Sequence, residues 1–151
     1  MANTQAMCTS FKNEILQAYH NFGTTVVRAA TTADTFKAAL YLTSATVNAA
    51  TTAYSATSEV TGTNYTAGGV TVTNATAPTT SGTTAYWTPS ANFVWTTVTL
   101  STAFDTVLVY NNSQGNRAVS VHTFGAQTVT AGTFTLTMPT NAAGTALINI
   151  A

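Results

Sequence analysis

Ser120 and His122 are the residues whose types and spacing come nearest to a catalytic arrangement. One residue separates them in a segment of alternating hydrophobicity, so an extended backbone places both side chains on the same face of one strand. A serine beside a histidine can act as a nucleophile, and Asp105 is the acid that could orient the imidazole. The segment lacks the Gly-x-Ser-x-Gly turn of many serine hydrolases. We therefore interpret the pair as a structural contact and predict that the chain has no catalytic residue and is not an enzyme.

The other reactive side chains are few and scattered. His20 lies on the polar side of a predicted N-terminal helix, and Cys8, the one cysteine, lies near the start of that helix. Zinc sites usually show cysteine and histidine at short spacings, and this pattern is missing. Asp34, Glu59 and Asp105 are far apart in the sequence, so they form no paired-carboxylate motif. The sequence predicts neither a metal site nor a cofactor.

Four aromatic residues flank a predicted turn at Pro89, namely Tyr86, Trp87, Phe93 and Trp95. Such rings could stack on sugars or bases. Phe93 and Trp95 alternate with a further apolar residue, so their strand is apolar on both faces and must be covered by its own domain or by a partner. We expect these rings to pack in the core or at a protein interface.

The elements that position these side chains begin with an amphipathic segment from Thr4 to Phe22. Its apolar residues recur at spacings of three and four, which is typical of one face of an α-helix. Asn3 or Thr4 can cap the start, and Gly23 suits the end. Residues 1–23 are thus predicted to form a helix whose apolar face packs on the sheet or on another subunit. The predicted protein-contact residues are Phe11, Ile15, Tyr19, Phe22, Tyr86, Trp87, Phe93 and Trp95.

From Phe36 onward the hydrophobic period changes to two, as in strands with one buried face. Strands are predicted at Phe36–Thr43, Glu59–Tyr65, Val70–Ala75, Ala85–Trp87, Phe93–Leu100, Thr106–Asn111, Arg117–Phe124, Gln127–Met138 and Ala146–Ala151. A change of phase at Ala131-Gly132 predicts a tight turn or a glycine bulge. Residues 24–151 are expected to form a mainly β unit, either a β-sandwich or a jelly-roll-like or other barrel. With the helix, this makes one domain in all.

The composition is poor in charge. Of 151 residues, 36 are threonine and 5% are charged, with four charged residues of each sign, whereas ordinary soluble domains are about 25% charged. The chain therefore has no basic surface for nucleic acid, and no apolar stretch is long enough to span a membrane. No signal-peptide pattern opens the chain, so we expect synthesis and assembly in the cytoplasm. A neutral surface suits a subunit that is surrounded by neighbours.

Two stretches resemble small structural proteins that tailed bacteriophages encode among their head genes. They are Thr57–Thr76, TSEVTGTNYTAGGVTVTNAT, and Phe104–Pro139, FDTVLVYNNSQGNRAVSVHTFGAQTVTAGTFTLTMP. With the N-terminal CTSFKNEILQAYHNFG segment, the resemblance covers most of the chain. It implies a virion component assembled in the host cytoplasm, and in particular a capsid decoration or cement protein on the outer surface of the major capsid protein shell.

The expected partners are the major capsid protein or other virion proteins. Self-association is also expected, with a trimer among the options, because symmetry lets weak contacts act together. The resemblance leaves one alternative open, a head-fibre, tail or receptor- or glycan-binding β module.

Overall fold

The structure, a computed structural model, describes residues 3–8, 11, 15, 19–24 and 33–150. Within these ranges, eight strands form two antiparallel sheets, with the orders β1-β7-β6-β2-β3 and β4-β5-β8. The strands are β1 (Ala6–Met7), β2 (Phe36–Leu42), β3 (Val70–Thr71), β4 (Thr79–Ser81), β5 (Thr84–Trp87), β6 (Phe93–Asn111), β7 (Arg117–Leu136) and β8 (Ile148–Ile150). The prediction of a mainly β, sandwich-like fold is confirmed.

The longest element is the hairpin of β6 and β7, whose strands have 19 and 20 residues. Both are rich in threonine, valine and aromatic residues, which fit a pleated, half-buried surface. Their ladder runs from Phe93 with Leu136 to Asn111 with Arg117. Gly115, in the connecting turn, has a φ of 64°, a conformation that glycine adopts without steric cost. The hairpin forms the centre of the large sheet.

This hairpin is continuous where the sequence predicted four separate strands, so that part of the prediction was wrong. Bulges explain the difference, because they disturb the alternation of side chains without ending a strand. The shifts between Leu100 and Phe104 and between Phe104 and Thr106 fall at predicted breaks, and another falls at Ala131-Gly132, where a tight turn or glycine bulge was predicted. Between the pair Leu100 with Val129 and the pair Val98 with Gly132, β7 contains one residue more than β6. Ala131, in this gap, has a φ of 45°.

One face of the large sheet packs against the three-stranded sheet. The ring of Phe36 on β2 lies 6.1 Å from that of Trp87 on β5, measured between centroids. Trp87 is 2% exposed. Its Nε1 donates to the Asn74 side-chain oxygen and to the Thr76 carbonyl, each at 3.1 Å, so its polar atom is satisfied inside the protein.

The opposite face of the large sheet is covered by residues 43–69, between β2 and β3. Glu59 in this segment is 5% exposed, and its carboxylate accepts hydrogen bonds from Tyr54 Oη at 2.7 Å and Tyr65 Oη at 2.8 Å. It also accepts from the Gly68 N–H at 2.7 Å. A buried carboxylate is tolerated when such donors surround it. The central sheet is thus covered on both faces.

The prediction for the N-terminal segment was wrong at its start. Ala6–Met7 is a strand that pairs with β7, because the backbone groups at the edge of β7 outweigh the local helical periodicity. Of residues 9–18, only Phe11 and Ile15 are described, and both are helical. The middle of the predicted helix therefore lies outside the described residues. Residues 19–22 are not helical, so the predicted end was also wrong.

Two further differences concern short elements. The predicted strand Glu59–Tyr65 forms only isolated bridges, at Glu59 and at Thr63. The Glu59 side chain instead bonds to Tyr54, Tyr65 and Gly68 within residues 43–69. Thr79–Ser81, which lies between two predicted strands, is itself a strand that pairs with β5 through a tight turn. Gly82 in that turn has a φ of 57°.

Removal of the Glu59 carboxylate is expected to destabilise the fold strongly. Glu59→Ala leaves the two tyrosine hydroxyls and the Gly68 N–H without their acceptor, so the free energy of unfolding should fall by about 3 kcal/mol or more. Tyr54→Phe removes only one donor and should cost about 1.5 kcal/mol. Urea denaturation measures both values. Equal losses for the two variants would show that the carboxylate has no such role.

Candidate functional site

Ser120 and His122 lie side by side on β7, as their spacing predicted. Ser120 Oγ is 2.8 Å from His122 Nε2, and Ser120 is 2% exposed. Burial lowers the pKa of His122 to about 4, so the imidazole is neutral at pH 7. A neutral imidazole nitrogen and a hydroxyl can satisfy each other's hydrogen bonding. The pair lines a polar cleft of about 420 Å³ between β1 and residues 144–149.

Asp105 makes its hydrogen bonds with other residues. Its Oδ1 accepts hydrogen bonds from Asn3 Nδ2 at 2.9 Å and from Thr106 Oγ1 at 2.7 Å. A catalytic triad needs an acid that holds the imidazole in one orientation and stabilises its positive charge. Asp105 does not supply this, so the geometry of Ser120 and His122 is that of a polar contact within the sheet.

A separate apolar cavity of about 230 Å³ lies between the N-terminal segment and the three-stranded sheet. It brings together residues that are far apart in the sequence, and five of the eight predicted contact residues are among them. The cavity is lined by Phe11, Ile15, His20, Phe22, Pro78, Ala85, Tyr86, Trp87, Ile148 and Ile150.

Aromatic packing holds the N-terminal side of this cavity in place. The Phe22 ring stacks on Phe36 with centroids 4.7 Å apart, and it lies 4.7 Å from the Trp87 ring. The side-chain amide of Asn74 donates to the Phe22 carbonyl. Phe11 is fully buried against the edge of the His20 ring at 4.8 Å. Pro78 and Ile150, which also line the cavity, are exposed.

The other three predicted contact residues lie elsewhere. Tyr19 packs under the guanidinium of Arg117, which is 4.6 Å from its ring centroid. Phe93 lines an apolar cleft of about 190 Å³ between the β6–β7 hairpin and residues 137–139. Trp95 contacts Phe134 on the hairpin, with centroids 5.7 Å apart. The four aromatic residues that flank the Pro89 turn are thus divided between different places.

Sequence reasoning did not identify Ile148 and Ile150 as part of the site. They belong to a correctly predicted C-terminal strand, in which two isoleucines alternate with an asparagine. Ile150 is 40% exposed, which is unusual for a large apolar residue of this fold. The alternation could have indicated an apolar strand face, but not the N-terminal segment that lies opposite.

Within the described ranges, no three histidine, cysteine, aspartate or glutamate side chains lie close enough to hold a metal ion. The described residues contain no helix that is long and apolar enough to cross a membrane. No known protein family, curated protein or solved structure matches this chain. The site is therefore interpreted from its own residues.

Acid is expected to destabilise the fold through His122. Its pKa is about 4 in the folded chain, whereas an unfolded histidine titrates at about 6.5. As the pH falls from about 6.5 towards 4, the unfolded chain binds this proton first, so the free energy of unfolding decreases. The glutamine of His122→Gln does not titrate but can still form a hydrogen bond with Ser120. The free energy of unfolding of this variant should therefore decrease less over this pH range. Urea denaturation at several pH values checks this, and identical profiles would contradict it.

Proposed function

We propose that this chain is a non-enzymatic structural subunit of a bacteriophage virion, a capsid decoration or cement protein that binds the major capsid protein from outside. The open apolar cavity between the N-terminal segment and the small sheet is the observation that carries this proposal. Exposed apolar surface of this kind marks a site of protein contact, and a concave site accepts an anchoring side chain of the partner.

The charge of the chain supports a partner that is recognised by shape. With four residues of each sign, the surface provides little electrostatic steering. Affinity must then come from apolar burial and backbone hydrogen bonds. The resemblance of Thr57–Thr76 and Phe104–Pro139 to phage head-gene products supplies the class of partner, the major capsid protein. The apolar cavity fits an apolar side chain of that partner.

The mechanism is stabilisation by binding. A protein that binds the assembled lattice, but not loose subunits, shifts the equilibrium towards the lattice. A site filled at a concentration about 100-fold above its dissociation constant gains about 2.7 kcal/mol. Many such sites on one shell would raise its resistance to heat and internal pressure.

The alternative of a receptor- or glycan-binding module receives less support from the geometry. Such a module stacks exposed aromatic rings on its ligand. Trp87 and Trp95 are only 2% and 3% exposed, so their ring faces are used inside the protein. Tyr86 is half-buried in the apolar cavity, where its ring has mainly apolar neighbours. A protein partner fits this surface better than a sugar.

A charge placed at the cavity is expected to weaken capsid binding. Ile150→Asp should raise the dissociation constant for expanded capsids by about tenfold or more, because an apolar contact is lost and a carboxylate is desolvated. Val94, on β6 and outside the cavity lining, is 39% exposed, so Val94→Asp is a matched control. Co-sedimentation with capsids of the virus that encodes the chain, stripped of this protein, measures both.

The location of the protein provides an independent check. It should be present on purified heads in a fixed copy number, and heads that lack it should open at a lower temperature. Absence from heads, or equal loss of binding in both aspartate variants, would refute the proposal. Presence on tails alone would establish the tail alternative.

A further inference from the structure

Among the described residues, the outer edge of β7 has partners only near its start. Its first residues bond to residues 52–54 and to β1. Beyond Val121, no residue in the described part of the chain pairs with this edge. The side chains of Thr133 and Thr135, on one face of this part of the strand, are exposed. In an antiparallel pair, alternate residues turn their N–H and C=O groups away from the partner, so the edge presents a row of available backbone groups.

The other strand edges of the two sheets are short or covered. β1 and β3 have two residues each, and β4 and β8 have three. The outer edge of β6 is bridged at Thr99 by Thr63, and Asn64 Nδ2 donates to the Thr97 carbonyl at 2.9 Å. Short strands, charges and prolines are the usual means by which proteins prevent pairing between molecules. Residues 118–136 contain no charged residue and no proline.

Bulges limit the part of this edge that can pair. Between the pair Leu100 with Val129 and the pair Val98 with Gly132, the extra residue lies on β7. Between the pair Val98 with Gly132 and the pair Trp95 with Phe134, the extra residue lies on β6, so β7 has no bulge there. Residues 132–136 therefore form an uninterrupted segment with the length of an ordinary strand.

We propose that residues 132–136 pair antiparallel with the same residues of a second copy of this chain, in a two-fold symmetric dimer. A row of backbone donors and acceptors binds an extended strand. The Gly-Thr-Phe-Thr-Leu segment complements itself, since a two-fold axis through it brings every outward donor to an acceptor and no like charges meet. Phe134 and Leu136 are only partly buried, so pairing also covers apolar area that one chain leaves open.

This geometry defines the stoichiometry. The interface uses the same edge on both copies, so it closes at two subunits and does not build a trimer. The dimer is expected to form whether or not a capsid is present. A single strand pair buries less than the standard interface of about 1,600 Å², so the dissociation constant is expected between about 10 µM and about 1 mM.

Charge exchange at the edge tests the pairing by sedimentation equilibrium. The double variant Thr133→Lys, Thr135→Lys places like charges opposite each other across the axis and should raise the dissociation constant about tenfold or more. The corresponding double glutamate variant should behave in the same way alone. The control Thr96→Lys, Thr102→Lys adds the same charge at exposed positions of β6 and should dimerise like the original chain.

A mixture of the lysine and glutamate variants separates repulsion from misfolding. Equal amounts of the two should form a mixed dimer, because opposite charges then face each other, and an unfolded variant could not recover association. Recovery in the mixture, with normal dimerisation of the β6 control, supports the pairing. A monomer at all concentrations up to about 1 mM, a trimer, or equal weakening by edge and control variants overturns it.

Discussion

The buried carboxylate of Glu59 is the interaction that holds the layer over the large sheet. Hydrogen bonds to a charged acceptor contribute about 1.5–3 kcal/mol each, more than neutral ones. Tyr110 Oη donates to the Gly68 carbonyl at 2.8 Å, so the same turn is held from both its N–H and its C=O sides. Burial raises the pKa of Tyr110 to about 12, so its hydroxyl remains a donor at neutral pH. The neighbouring Gly69 leaves no room for a side chain, since a Cβ there would lie 1.8 Å from the Ala38 carbonyl oxygen.

Coverage of the central hairpin is uneven because its neighbours are shorter. β2 has seven residues and pairs with β6 only from Asn111 to Phe104. Beyond that point, aromatic rings on the hairpin supply a small core of their own. The Phe104 and Phe134 centroids are 4.9 Å apart, and Phe124 lies 5.4 Å from Phe134. The hairpin can therefore extend past the other strands of its sheet, and much of the outer edge of β7 has no partner in the part of the chain that the structure describes.

Hydrophobic periodicity predicted the features that depend on residues close together in the sequence. Threonine-rich alternation indicated the mainly β fold, the common face of Ser120 and His122, and the bulge at Ala131. It could not predict β1, because a two-residue strand is defined by the edge that it meets. Nor could it predict the role of Glu59, whose donors depend on how residues 43–69 fold back on the sheet. The sequence identified five of the residues that line the cavity but not the cavity itself, since Ile150 and the N-terminal segment meet only through tertiary packing.

The low charge of the chain connects its two proposed contact surfaces. Without strong electrostatic attraction, each surface must bind through desolvated groups, apolar side chains at the cavity and backbone groups at the β7 edge. The two surfaces share no residue, so pairing through β7 leaves the cavity lining intact on both copies. A dimer then presents two cavities, and binding of the first raises the effective concentration of the second to about the millimolar range where the spacing of capsid sites allows it. Two weak, uncharged contacts could in this way give firm attachment to a regular lattice and little affinity for a single loose subunit.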